Sequence, residues 1–311
     1  MIQGASIKVF APATIANVGP GFDIFGLALC DIGDTIEMSL TDGDQIEIEN
    51  GKGCEGLPTE PGRNVAGVSI QSMLETMGKS QGVRLRIHKN IKPGSGLGSS
   101  ASSSAAAVFG LNHLLGSPFS TLELVKFAME GEGAVSLSPH ADNVAPSLLG
   151  GFTVVRSYNP LDIITIPVNL DLWFTVVHPQ LEVKTSDSKR MLKREISLAQ
   201  GITQWGNVAG VIAGLIKGDA QLLSRSMHDP LVEPVRSMLI PGFDEAKKAA
   251  LKSGALCSSI SGSGPSIFAI SESKDIADKA GVAFSEVFKR YHIDYQVYIS
   301  QLNPEGAKII K

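Results

Sequence analysis

The chain has 311 residues, 43% of them apolar, and 27 basic against 31 acidic side chains leave a net charge of −4. Without a basic excess to displace counterions it is not expected to bind nucleic acid. No apolar window reaches the roughly 18 residues of a transmembrane helix, so no membrane association is expected. Cys30, Cys54 and Cys257 are odd in number and widely spaced, forming neither a disulfide framework nor a metal pattern. With no signal-peptide pattern at the N-terminus, a cytoplasmic protein of about two domains is the expectation.

In chain order, residues 7–10, 34–40 and 45–49 have strand character, with a Thr-Asp-Gly-Asp turn at 41–44. Apolar positions Val65, Val68, Met73 and Met77 predict a helix over 63–77. A strand at 83–88 runs into a Gly/Ser-rich loop, and the Ala/Leu-rich stretch 101–115 reads as a buried helix. Ser-Thr-Leu-Glu at 120–123 is a capping box opening a helix that ends near Gly131. The Pro- and Gly-punctuated stretch 136–151 reads as a loop. Strands follow at 152–155, 163–166 and 173–177, then helices at 197–217, 220–227 and 243–252. A strand–turn–strand at 255–270, a helix at 276–288 and a strand at 295–299 close the chain. The elements alternate without a regular βαβ rhythm, which predicts an α+β fold in two domains, 1–167 and 168–311.

Four stretches can carry chemistry. The first is Pro93-Gly94-Ser95-Gly96-Leu97-Gly98-Ser99-Ser100-Ala101, continuing into Ser102 and Ser103. Alternating glycines free the backbone for positive φ, and the loop opens a helix, so amides and helix dipole converge on an anion, most naturally a phosphate. No Lys follows the glycines, so it is not a Walker A loop. The second is residues 12–23, dense in turn formers, where Asn17 and Asp23 can meet a small substrate. The third is Glu130-Gly131-Glu132 with His140-Ala141-Asp142-Asn143 beyond it. A carboxylate near a phosphate loop suits Mg²⁺. The fourth is Ser261-Gly262-Ser263-Gly264-Pro265, alone a simple turn, which can wall the same phosphates from a second side.

Together these stretches resemble the GHMP kinase superfamily, and within it the homoserine kinase branch. Residues 93–101 are similar to its phosphate-binding motif and residues 261–266 to its C-terminal glycine motif. The P-A-T-I-A-N-V-G-P-G-F-D run, the H-A-D-N run and Glu233-Pro234-Val235-Arg236 resemble the branch. The resemblance implies an N-terminal ribosomal-protein-S5-like nucleotide-binding domain with a left-handed β-α-β unit and a C-terminal ferredoxin-like α/β-plait domain. It implies ATP-dependent phosphorylation of L-homoserine on its hydroxyl, a step toward threonine, with Mg²⁺, and a homodimer.

By the same resemblance, residues 93–103, Asn64 and Lys89 hold ATP, and Ser100 and Glu132 coordinate Mg²⁺, Glu132 rather than Glu130 because it keeps the family's spacing to His140. Asn17, Asp23, His140 and Arg236 surround the substrate, Asp23 on its ammonium and Arg236 on its carboxylate. Thr185 approaches the γ-phosphate. Asn143 stands where related kinases place a catalytic Asp, so no dedicated base is implied. The chain departs from the family at Thr-x-x-x-Arg, which reads Thr185-x-x-x-Lys189, with Arg190 adjacent. Lys lacks the planar fork of Arg, so either Lys189 acts as a point charge or Arg190 takes its place. A mevalonate-type kinase and a non-catalytic sensor are the other readings on this fold. A sensor would be expected to have lost the metal ligands or loop glycines that this chain keeps.

Overall fold

The computed structural model describes residues 6–136, 140–181, 183, 188, 190–193 and 195–310. Among them the strands form two sheets. In the first, β1 (Ser6–Ala16) lies antiparallel to the 17-residue β2 (Phe25–Thr41). The other edge of β2 is shared. Its end Thr35–Thr41 pairs with β4 (Gly82–His88), and Phe25–Leu27 pairs with β5 (Phe152–Tyr158), which carries β6 (Leu161–Ile166). β3 (Ile46–Asn50) runs parallel to β4. Strand β4 shows why one face is buried: Val83, Leu85 and Ile87 point to the core while Arg84 and Arg86 alternate outward. Helices α1 (Val65–Met77), α2 (Ser99–Leu114), α3 (Thr121–Ser136) and α4 (Ala141–Leu149) share this core. The small side chains Ala101, Ala105, Ala106 and Ala107 let neighbours close around α2 on all sides.

The second sheet has the order β10 (Tyr295–Gln301), β7 (Trp173–Pro179), β9 (Ile267–Ser271), β8 (Cys257–Ile260), all antiparallel. Between β7 and β8 come α5 (Leu198–Lys217), α6 (Ala220–Ser226), the single turn α7 (Glu233–Arg236) and α8 (Phe243–Lys252); α9 (Lys274–Arg290) joins β9 to β10. This is the ferredoxin-like β-α-β-β-α-β arrangement. Along β9, Phe268 and Ile270 enter a core shared with Ile15, Leu27 and Phe152 of the first sheet, while Ile267 and Ala269 face Phe243, Phe284 and Phe288. A strand covered on both faces has no polar alternation, hence the continuous apolar run. The shared core fixes the two units against each other, so loops from both can meet at one site.

Three expectations are corrected. The stretch 12–23 is only half loop, because β1 runs on to Ala16. The stretch 136–151 contains α4. Its Pro146 has no N–H for the Asp142 carbonyl four residues earlier, and β2 closes on that carbonyl instead: a Cβ at Gly26 would lie 1.7 Å from it, so only glycine fits. Finally, β11 (Lys308–Ile310) returns to pair with β1, so a division at 167/168 leaves the last strand on the wrong side.

Candidate active site

The loop between β4 and α2 is built by alternation. Ser95, Leu97 and Ser99 turn inward and are buried, whereas Gly94, Gly96 and Gly98 lie on the outer side with φ of 77°, 81° and 64°. Its carbonyls are pinned inward: the Ser266 hydroxyl donates to Ser95 O (2.6 Å), the Ser261 hydroxyl to Gly96 O (2.6 Å) and the Thr14 amide to Leu97 O (3.1 Å). In a trans peptide the following N–H points opposite to the carbonyl, so the amides of Gly96 and Gly98 are directed outward. With the first turn of α2 they form a concave, positively polarised nest for an anion. The second Gly/Ser loop thus braces the first, a role its sequence alone does not reveal.

Beneath this loop the Lys89 ammonium is buried against Asp34 (2.5 Å), donates to Ser103 Oγ (2.9 Å) and also reaches Ser99 O. Asp34 Oδ1 in turn accepts from the amides of Asn90 (2.9 Å) and Ile91 (3.2 Å). All three Lys89 donors are spent, which makes it a buried brace under the loop. Ser99 and Ser102 likewise use their hydroxyls on Ile91 O and Ala11 O. Asn64 caps α1, accepting from Ala66 N (3.0 Å) and donating to Pro58 O (2.7 Å). These residues, expected at the nucleotide, make these bonds within the loop, β1 and α1.

Ser100 behaves differently. Its hydroxyl faces away from the core and donates to Glu132 Oε2 (3.1 Å). Glu130 is exposed two residues away, on the other side of α3. The approach is set by Gly131, where a Cβ would lie 2.4 Å from Val65 O and 2.2 Å from Ser69 Oγ. Burial pushes the Glu132 carboxyl up to about 7, against the hydrogen bond from Ser100, which lowers it. A carboxylate reluctant to ionise alone, beside a hydroxyl and a phosphate nest, is a hard-oxygen set that fits a divalent cation shared with a bound phosphate.

The turn after β1 is held by Asn17, which has φ 68°. Asn17 accepts from Asp23 N (3.0 Å) and donates to Gly262 O (2.8 Å). Its polar groups therefore shape the turn that presents Asp23, whose carboxylate lies 3.7 Å from His140 Nδ1 at the start of α4. Tyr158, which sequence reasoning missed, ties these pieces: its hydroxyl donates to Asp23 O (2.8 Å) and accepts from Ala141 N (3.3 Å). Arg236 is buried, donates through Nη1 to Gly262 O (2.8 Å) and stacks 5.0 Å over the Phe22 ring. Its Nε is buried with no acceptor among the described residues. Burial lowers its affinity for the proton, opposed by the charges of Asp23, Asp142 and Asp229. Asn143, on the first turn of α4, accepts from the Thr14 hydroxyl (2.7 Å) directly beside Gly98. Thr185 and Lys189 lie outside the described residues; Arg190 is exposed.

The junction of the two loops also holds a titratable group. Burial, with Lys92 adding to it, pushes His178 down to about 4 from its ordinary value of 6.5, and its Nδ1 sits 3.4 Å from Ser266 Oγ. Below pH 6.5 the unfolded chain takes up a proton that the folded chain refuses until about pH 4, so stability falls as pH drops through that window. Thermal unfolding midpoints measured from pH 7 to 4.5 are expected to decline less steeply in His178→Gln than in wild type; identical slopes would remove His178 from this account.

An anion nest between β4 and α2, a buried carboxylate beside the Ser100 hydroxyl and the opposite charges of Asp23, His140 and Arg236 stand on this pair of sheets, a set suited to a small-molecule kinase. Residues 64–151 match the family described as GHMP kinases N terminal domain, and residues 211–290 that described as GHMP kinases C terminal. The chain is 43% identical to a homoserine kinase of Chloroherpeton thalassium over 97% of this chain and 98% of that one. The crystal structure of homoserine kinase from Cytophaga hutchinsonii is 48% identical, covers 100% of this chain and 99% of its own, and superposes with a TM-score of 0.96. L. major mevalonate kinase, at 17% identity and a TM-score of 0.72 over 98% of both chains, shares the fold alone. The chain belongs to the GHMP kinase family, in its homoserine kinase branch.

Proposed function

We propose that the chain transfers the γ-phosphoryl group of ATP to the side-chain hydroxyl of L-homoserine, a step in threonine biosynthesis. The observation that carries the substrate is the pairing of opposite charges around Gly262 O: the Asp23 carboxylate beside His140, held through Asn17, and the buried Arg236 with an unsatisfied Nε. An α-amino acid brings an ammonium and a carboxylate on one carbon, which these groups match; mevalonate brings no ammonium. A coupled ADP-release assay tests this directly. L-homoserine is expected to drive turnover well above L-serine, L-threonine and mevalonate, and a preference for mevalonate overturns the assignment.

In this reading the outward amides of Gly96 and Gly98 and the first turn of α2 hold the ATP phosphates. Ser100 and Glu132 would hold Mg²⁺, which supplies charge neutralisation at the phosphates. Asp23 and Arg236 orient the amino acid so that its hydroxyl faces the γ-phosphorus near Asn143. The new O–P bond forms as the bond to the β-phosphate oxygen breaks, and the hydroxyl proton leaves late, to a phosphoryl oxygen. A loose transition state asks mainly for positioning and charge neutralisation, so no strong base is required. Glu132→Gln keeps shape but removes the charge and is expected to cut Mg²⁺-dependent turnover by about 10²-fold or more, in the range of losing a group that stabilises transition-state charge. Glu130→Gln should stay near wild type; the reverse ranking in a Mg²⁺ titration contradicts the assignment.

The three thiols are free, in keeping with a reducing cytoplasm. Among the described residues no helix is long and apolar enough to cross a membrane. A homodimer completes the proposal: α5 exposes Leu198, Ile202 and Trp205 and carries no charged residue before Lys217, the charge-poor aromatic composition of interface cores.

A further inference from the structure

We infer that Thr14 is a positioning residue for phosphoryl transfer, fixing the Asn143 carboxamide so that it presents an N–H, and not a lone pair, to the reacting oxygens. The inference rests on the kinase reading above. A carboxamide can be turned either way, offering its oxygen or its NH₂. Here Thr14, fully buried on β1, donates its hydroxyl proton to Asn143 Oδ1 at 2.7 Å. Asn143 Nδ2 faces Asp142 Oδ1 at 3.5 Å, an acceptor only a nitrogen suits. Asp142 therefore selects the orientation, and the Thr14 hydroxyl, free to donate, locks it at Oδ1. Asn143 is half-buried, so its second N–H remains for a ligand.

The location gives this orientation a consequence. A Cβ on Gly98 would lie 2.1 Å from Thr14 Oγ1 and 2.8 Å from Asn143 Oδ1, so the pair is packed against the N-cap of α2 at the end of the phosphate nest. The Thr14 amide holds the same loop through Leu97 O. One residue thus ties the loop's backbone and the Asn143 side chain to a common point on β1. An N–H there can hold a phosphoryl oxygen, or the acceptor oxygen, as charge shifts between them. A lone pair would repel the phosphoryl oxygens and could do neither.

Thr14→Val keeps the shape and deletes the hydroxyl. It is expected to lower kcat by about 10–100-fold, the loss of one oriented donor, with KM for ATP and homoserine each within about twofold. Thr14→Ser restores the hydroxyl and should recover kcat to within about threefold. In an Asn143→Ala background, Thr14→Val should cost less than about twofold more, because the group it orients is gone. An undiminished cost in that background, or a change confined to KM, overturns the inference. If Thr14→Val is insoluble, Asn143→Asp decides: it replaces the presented N–H with an anionic oxygen and should lower kcat about 10²-fold, and retained activity overturns the inference. A wild-type chain that fails to phosphorylate homoserine defeats the functional reading itself; an active wild type with an indifferent Thr14→Val defeats only this inference.

Discussion

Gly96→Val and Gly98→Val are each expected to abolish ATP binding. Both glycines have positive φ, 81° and 64°, a region that a β-branched residue occupies only under strain. Space is equally restrictive. A Cβ at Gly96 would lie 2.7 Å from Ser261 O and 2.8 Å from Gly264 O, backbone atoms of the bracing loop that cannot swing aside. At Gly98 it would strike the Thr14–Asn143 pair. Relief of either clash rotates the peptides whose amides face the phosphates, so the nest is lost along with the room for its ligand. Gly94, with nothing within 4 Å of a Cβ, serves as the control. Gly94→Ala should bind ATP far better than either valine variant, despite the strain of its own φ of 77°. Calorimetry showing Gly96→Val or Gly98→Val within about threefold of wild type would place the nucleotide elsewhere.

Arg236→Leu carries the second large effect, a rise of about 10²-fold or more in KM for homoserine with ATP affinity nearly unchanged. The guanidinium is buried, stacked on Phe22 and fastened by one Nη1 bond to Gly262 O. Its unsatisfied Nε is the donor that a substrate carboxylate would complete. Charge-assisted hydrogen bonds of this type are worth about 3 kcal/mol, which is roughly two decades in affinity. Leucine preserves bulk over the Phe22 ring, so a loss confined to homoserine KM reports the charge rather than collapse. Unchanged homoserine KM in Arg236→Leu would undo the carboxylate assignment.

The positive-φ loop ahead of a buried helix was legible because alternating glycines have few other uses, and the two serine–glycine loops announced themselves by composition. The choice of Glu132 over Glu130 came from the family's spacing to His140, and it is Glu132 that meets the Ser100 hydroxyl. What could not be read was how polar groups are spent. Asn17, Asn64 and Lys89 sit in motifs that suggest ligands, yet the fold uses Asn17 to build a turn, Asn64 to cap α1 and Lys89 to satisfy Asp34 under the loop. Those partners lie up to 245 residues away in sequence, as with Asn17 and Gly262. Helix α4 was hidden by Pro146, because its compensation comes from Gly26 on a different element. Thr14 was in plain view within the P-A-T motif, but its value depends on facing Asn143 129 positions on. Tyr158 stood in a strand with no motif to mark it.

The central claim is that phosphate moves from ATP to a hydroxyl, and a ³¹P NMR spectrum of the purified chain with ATP, Mg²⁺ and L-homoserine tests it at the atom concerned. The account predicts an alkyl phosphomonoester resonance, split by the adjacent CH₂ protons, growing in step with ADP and absent when homoserine is omitted. ADP appearing with inorganic phosphate alone, or no change in the ATP signals, would contradict it.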